Sequence, residues 1–205
     1  MGEYTKYYRL EQYLFKEVGP RFRKEGCLTA EAFFCIVIWK ANRAKSKTAA
    51  KLLQKAKVRC LAEGVQKLTS ALVEASSSKE RMRILIKDWG FRLPMASAVL
   101  TVLYPEEFTV YDIRVVDELE QNKKGPLHQL ANSTDFDKSI WPGYEQFIGA
   151  VRAAVPDEDS LRDKDRELWG RSFFNQLVDD IRRNFQKAKK FDRRDKAASV
   201  EMLGR

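Results

Sequence analysis

Apolar side chains recur along most of this chain at helical spacing, and Gly, Pro and Ser punctuate the repeats. Tyr7, Leu10, Leu14, Phe15 and Val18 form one stripe, and Gly19-Pro20 predicts its end. Thr29 suits an N-cap with Glu31 in the first turn, and residues 32–39, AFFCIVIW, are apolar on every face. A β-branched run of that length also suits a buried strand. Its Ala-rich flanks and helical neighbours favour a central helix. The pattern then changes abruptly at residues 40–47, KANRAKSK, before a Lys- and Ala-rich amphipathic helix over 48–62. Two further helices are expected between 65 and 89, broken at Ser76-Ser77-Ser78. Ser77 and Glu80 have capping-box spacing for a helix over 79–89, with Met82, Ile84, Leu85 and Trp89 available to pack inward.

Gly90-Phe91-Arg92 predicts a tight turn into a helix over 94–104, and a short loop then brings Asp112 to the start of a helix over 113–120. Residues 122–126, NKKGP, read as a turn, and 127–137 as a short helix or irregular segment holding His128. A helix over 141–155 carries Pro142 at its start, and a long one over 161–184 is expected to break or ease near Gly170. No strand pattern and no internal repeat is evident, so the fold class is all-α. With 205 residues, the expected organisation is one helical domain over 1–186 followed by a basic C-terminal tail over 187–205.

Charge adds a partner to this picture. The net charge is +9 and unevenly placed: 14 Lys/Arg against 5 Asp/Glu over residues 1–60, 15 against 21 over 61–181, and 9 against 3 over 182–205. Two basic ends suit a polyanion, with nucleic acid first among the candidates; a solvated surface with a basic tail is the plainer reading. The run Lys40, Asn42, Arg43, Lys45 and Lys47 offers side chains suited to phosphate oxygens and base edges. The same cations also suit an ordinary solvated helix end.

Other chemistries are poorly served. Cys27, Cys35 and Cys60 have no metal-ligand spacing, and Cys35 reads as a small buried hydrophobe. One histidine gives neither a His-based metal site nor a Ser/His/Asp triad, and no phosphate-binding glycine loop is present. No cofactor is expected. The N-terminal residues lack an apolar signal core and no run reaches membrane-spanning length. The expectation is an intracellular protein, cytoplasmic or nuclear, without a membrane partner, acting as a monomer.

The stretch 86–118, IKDWGFRLPMASAVLTVLYPEEFTVYDIRVVDE, resembles the helix-hairpin-helix and aspartate signature of DNA glycosylases typified by endonuclease III, the alkylpurine glycosylases and the 8-oxoguanine glycosylases. The matching positions are Trp89, Gly90, Phe91, Arg92, Leu93, Pro94, Met95 and Ala96, followed by Asp112 at the family's distance. Arg92 stands where the family has a second glycine; it either adds a phosphate contact or alters the hairpin. The segment 163–169, DKDRELW, ahead of the final helix is also similar. The iron–sulfur cysteines of some members are absent.

This resemblance implies a two-lobed helical glycosylase fold with the hairpin and aspartate in region 79–120. It implies that double-stranded DNA is bound through Gly90, Phe91, Arg92 and the 40–47 run. Asp112 is the implied catalytic residue, stabilising the charge that builds on the sugar as the base leaves; taken alone, it reads first as a helix N-cap. Asp117, five residues on in the same helix, should point away. A flipped base implies a pocket, with Trp39, Lys40, Phe34 and Tyr111 as candidate walls. The Schiff-base lysine of bifunctional members corresponds to Pro94, so the implied activity is hydrolytic, leaving an abasic site. The excised base is a damaged one or, in an anti-phage role, a hypermodified phage base. A DNA-binding module of the same fold without turnover is the non-enzymatic alternative.

Overall fold

The structure, a computed structural model, describes residues 4–120 and 125–186, and among these the chain is helical throughout with no strand. The helices are α1 (Thr5–Tyr8), α2 (Leu10–Tyr13), α3 (Gly19–Glu25), α4 (Ala30–Ala41), α5 (Lys45–Ala56), α6 (Leu61–Glu74), α7 (Ser78–Arg83), α8 (Leu93–Leu103), α9 (Ile113–Leu119), α10 (Pro126–Gln129), α11 (Trp141–Ala154) and α12 (Leu161–Arg182). Short π turns occupy Leu14–Val18, Ile84–Asp88 and Phe136–Ile140, and 3-10 turns occupy Asn42–Ala44 and Leu130–Asn132. The all-α expectation holds. Among the described residues, those up to Ser172 form one compact unit and those from Phe173 on belong to another. The expected basic tail over 187–205, and residues 122–124 of the expected turn, lie outside the described residues. Among the described residues no helix is long and apolar enough to cross a membrane.

Pro20 does not stop the helix where the sequence suggests, while Pro142 stands at the start of α11 as expected. The chain stays helical through Gly19-Pro20 to Glu25. The preceding π turn explains this: Gly19 N–H reaches back five residues to Leu14 O, and the widened coil accommodates a ring that would clash in a regular α-turn. The same device precedes Pro142, where Trp141 N–H reaches Phe136 O. The actual stop is Gly26, whose φ of 74° and N–H to Phe22 O at 2.8 Å make a left-handed C-cap. Gly19 has a different duty. A Cβ there would lie 2.5 Å from Val102 O, so its absence lets α3 lie directly on α8.

Helix α4 is the spine of the core. Thr29 Oγ1 accepts the Ala32 N–H at 3.3 Å, as expected of an N-cap, and Ala32, Phe33, Ile36 and Val37 are fully buried. Helix α8 lies against it, with every residue from Ala96 to Leu103 buried. Other local expectations shift. Tyr7 is 43% exposed and outside the core. The helix expected over 48–62 is two: Lys57 turns left-handed at φ 54°, and α6 doubles back so that Val65 and Leu68 share a core with Leu52. Ser77 Oγ accepts from Glu80 N–H as predicted, but the Glu80 carboxylate returns to Ser76 N–H at 2.9 Å, closing the box one residue early. Helix α12 passes through Gly170 without a break, and the 163–169 segment lies inside this helix rather than ahead of it. Cys35 is only partly buried; burial, and then the Glu31 charge, push its thiol up.

Candidate active site

The hairpin forms as a helix end followed by a helix start. After the π turn at Ile84–Asp88, Phe91 N–H bonds Leu85 O at 2.9 Å around Gly90, whose φ is +70°. That closure satisfies carbonyls at the end of the first helix and needs a residue free of Cβ strain. Arg92 then serves as the extended N-cap residue of α8, its carbonyl accepting from Met95 and Ala96 at 3.0 Å each, with Pro94 in the first turn. The N–H groups of Arg92 and Leu93 find no acceptor among the described residues. Thus Arg92 is compatible with a closed hairpin, since the left-handed position is Gly90 alone.

Cations gather around this turn. Lys51 Nζ donates to Gly90 O and lies 6.0 Å from the Phe91 ring centroid. Burial lowers the Lys51 ammonium, and the like charges of Lys47, Arg92 and Lys55 lower it further. Such mutual repulsion is relieved by an anion. Lys47 belonged to the predicted contact set; Lys51 and Lys55 did not, although their spacing of four along α5 puts them on one helix face with it.

Asp112 plays two parts at once. Its Oδ1 accepts the Arg114 N–H at 3.1 Å, the N-cap of α9, while Oδ2 accepts Lys40 Nζ at 2.6 Å. Both side chains are mostly covered, at 25% and 13% exposure. Burial alone pushes the Asp112 carboxyl up, but the Lys40 charge and hydrogen bond, the Arg114 N–H and the Arg114 charge bring it below its ordinary value. It is an ionised carboxylate held in a partly dry place.

The pair opens onto a cavity of about 420 Å³. Trp39, one turn-position before Lys40, forms a wall, with Val110 beside Asp112. The opposite wall comes from α12: Arg162, Asp165, Arg166 and Trp169, at helical spacings of 3, 1 and 3. Asp165 is 1% exposed, and Arg162 Nη1 donates to its Oδ2. Burial pushes the Asp165 carboxyl up; the Arg162 and Lys40 charges oppose this without cancelling it. Arg162 is itself braced by Glu11 Oε1 at 2.6 Å and by the rings of Phe15 and Trp39, at 5.3 and 5.2 Å from its Cζ. Trp169 takes the Arg114 guanidinium over its ring at 5.5 Å. None of the α12 residues was predicted. Charged and aromatic residues on one face of a helix, where a core-facing stripe is usually apolar, were the available signal.

The remaining predicted residues divide sharply. Trp39, Lys40 and Asp112 come together in the cavity. Asn42, Arg43, Lys45 and Lys47 are exposed, and Lys45 Nζ donates to Asn42 Oδ1 at 2.9 Å; Lys40 is the member of that run that turns inward. Phe34 does not line the cavity and stacks edge-on against Phe33 at 5.8 Å. Tyr111 does not line it either: it is buried, donates to Leu127 O, and packs on Phe147 at 5.3 Å. Burial pushes its hydroxyl up to about 12, so it is a core residue. The Phe91 side chain is buried toward Phe33, leaving only the backbone of that position at the hairpin surface. Asp117 is occupied elsewhere, accepting from His128 Nε2 at 2.8 Å. Among the described residues no cluster of His, Cys, Asp and Glu is arranged to hold a metal.

Compared with known proteins, the chain matches no family model, no curated protein and no solved structure.

Proposed function

We propose that the protein is a monofunctional DNA glycosylase that hydrolyses the bond between deoxyribose and a flipped, modified base. The observation that carries this reading is Asp112: a carboxylate kept ionised by Lys40, fixed by the cap of α9, at the mouth of an aromatic-walled cavity and downstream of a Gly90-centred hairpin. Breaking an N-glycosidic bond places positive charge on the sugar, and a preorganised carboxylate stabilises that charge and orients the attacking water. The cavity falls in the range of about 300–1,000 Å³ that suits a small planar ligand. Trp39 and Trp169 offer the apolar faces that an unstacked base needs.

Duplex DNA is held, in this reading, by the hairpin backbone and by Arg92, Lys47, Lys51 and Lys55, whose crowding an anion would relieve. Lys40 serves Asp112 rather than phosphate. Its ammonium is the amine that lines the cavity, and as the ion-paired partner of Asp112 it is a charge holder rather than a nucleophile. Pro94 occupies the first turn of α8, where a lyase of this superfamily would present its lysine.

The deciding experiment incubates the protein with a panel of duplexes carrying alkylated, oxidised, deaminated and phage-type hypermodified bases, and reads released bases by mass spectrometry. Release of one class of free base with an intact abasic strand is the expected result. Tight DNA binding with no base released from any duplex would make the protein a binding module instead.

A further inference from the structure

The N-terminal helices carry a surface that the reaction above does not use. In residues 4–9, YTKYYR, rings and cations interleave. Tyr7 leaves the core, and Tyr4 and Tyr8 are 74% and 92% exposed, so three rings stand in water within one short stretch. Tyr4 and Tyr7 stack with ring centroids 6.4 Å apart, and Tyr7 meets the buried Tyr13 of α2 edge-on at 5.3 Å. Lys6 Nζ lies 5.3 and 5.5 Å from the Tyr7 and Tyr13 centroids, and Arg21 of α3 donates to the Tyr13 hydroxyl at 3.3 Å. The cluster is therefore anchored in the fold at Tyr13 and open to solvent at its outer rings.

Charge points to one kind of occupant. Glu11 is drawn away by Arg162 and Arg166, and among the described residues Lys6, Arg9 and Arg21 enter no ion pair. A protein interface has an apolar centre poor in lysine, whereas here the exposed rings are tyrosines set among cations. Nucleobases stack on such rings while their phosphates meet the cations, and they do so only when unpaired, since a duplex hides their faces. Resting on the DNA reading above for the kind of nucleic acid, we infer that this cluster binds single-stranded DNA: bases stack on Tyr4, Tyr7 and Tyr8, and Lys6, Arg9 and Arg21 take the phosphates. The hairpin is built differently. Its aromatic residue, Phe91, is buried, which leaves backbone N–H groups and cations to hold a duplex.

The test measures fluorescence anisotropy of four labelled probes with the full chain: oligodeoxythymidine of about 16 nucleotides, the same backbone without bases, oligouridine of that length, and an undamaged duplex. Oligodeoxythymidine is expected to bind about tenfold tighter than the baseless backbone, which carries the same charge and nothing to stack. Replacing Tyr4, Tyr7 and Tyr8 together by Ala should erase that difference and leave duplex affinity within about twofold, while the triple Phe variant, which keeps the rings, should retain it. A second variant probes the charge: Lys6→Gln with Arg9→Gln should lower the slope of log affinity against log salt by about 1.4 for the single strand. Equal binding of the thymidine and baseless strands by the wild-type chain overturns the inference even if the Ala variant does not fold. Undiminished binding by a folded Ala variant, or an unmoved salt slope, overturns it as well, and tighter binding of oligouridine would give the surface to RNA instead. None of these measurements depends on base release. A failed cluster therefore leaves the cavity reading standing, and a panel with no released base leaves the cluster standing.

Discussion

Lys40 Nζ lies 2.6 Å from Asp112 Oδ2 and joins the last turn of α4 to the N-cap of α9 across 72 residues of chain. The contact converts an ordinary capping aspartate into a fixed negative charge facing a cavity. It also separates two duties that one side chain would otherwise have to share, since Oδ1 holds the helix and Oδ2 holds the lysine.

Asp112→Asn tests that separation. Asparagine caps helices as well as aspartate does, so the chain should fold, losing about 1–3 kcal/mol from the unpaired Lys40. Base release should drop about 100-fold or more, with DNA affinity within a few-fold. Mass spectrometry of released base, thermal melts and a binding isotherm together check it. A chain that fails to fold would return Asp112 to a purely structural role.

Lys40→Met should move the acid limb of the pH–rate profile upward. Asp112 has a lowered carboxyl, so its ionised form persists to acid pH and is lost as pH falls through the folded value. Without Lys40, burial is less opposed and the folded value rises. Activity should therefore fall away at a higher pH than in the wild-type chain. An unmoved limb would show that Lys40 does not set the charge of Asp112.

Borohydride should trap no covalent enzyme–DNA adduct. Lys40, the amine beside Asp112, is ion-paired, and Pro94 rather than a lysine stands in the first turn of α8. A robust adduct that disappears in Lys40→Met would transfer the lyase role to α4.

His128 should make stability depend on pH. Its Nε2 meets Asp117 Oδ1 and its Nδ1 meets Glu120 Oε2, both at 2.8 Å, closing α9 onto α10. The Asp117 bond raises the imidazole above its ordinary 6.5; burial opposes this, and Glu120 adds to the rise. That stabilisation is complete below the ordinary value and is lost as pH rises through the raised one. Glu120 runs the other way: burial raises its carboxyl, but the Leu127 N–H and the His128 bonds outweigh it, so its stabilisation is lost as pH falls through a lowered value. Melting temperature should decline above neutral pH in the wild-type chain, and His128→Gln should flatten that decline. Equal slopes in both proteins would remove the clasp from the account.

What the sequence determined by itself is whatever a few adjacent residues decide. Thr29, Ser77 and Asp112 announce helix starts because a cap needs one oxygen and the N–H groups two or three residues on. Gly90 announces its turn because a positive φ is a local steric matter, and the all-apolar run of α4 announces a buried helix. The tertiary structure alone decided the rest. Pro20 continues its helix because a π turn precedes it, and the width of a coil is not written in residue type. Lys40 reads both as a phosphate contact and as a pocket wall until α9 brings Asp112 to it, and Phe34 and Tyr111 read as pocket walls until the core claims them. Arg162 reaches Glu11 across 151 residues, and its other terminal nitrogen holds Asp165 in the same cavity wall. A pocket is made of side chains distant in sequence and adjacent in space, and only packing chooses which ones meet.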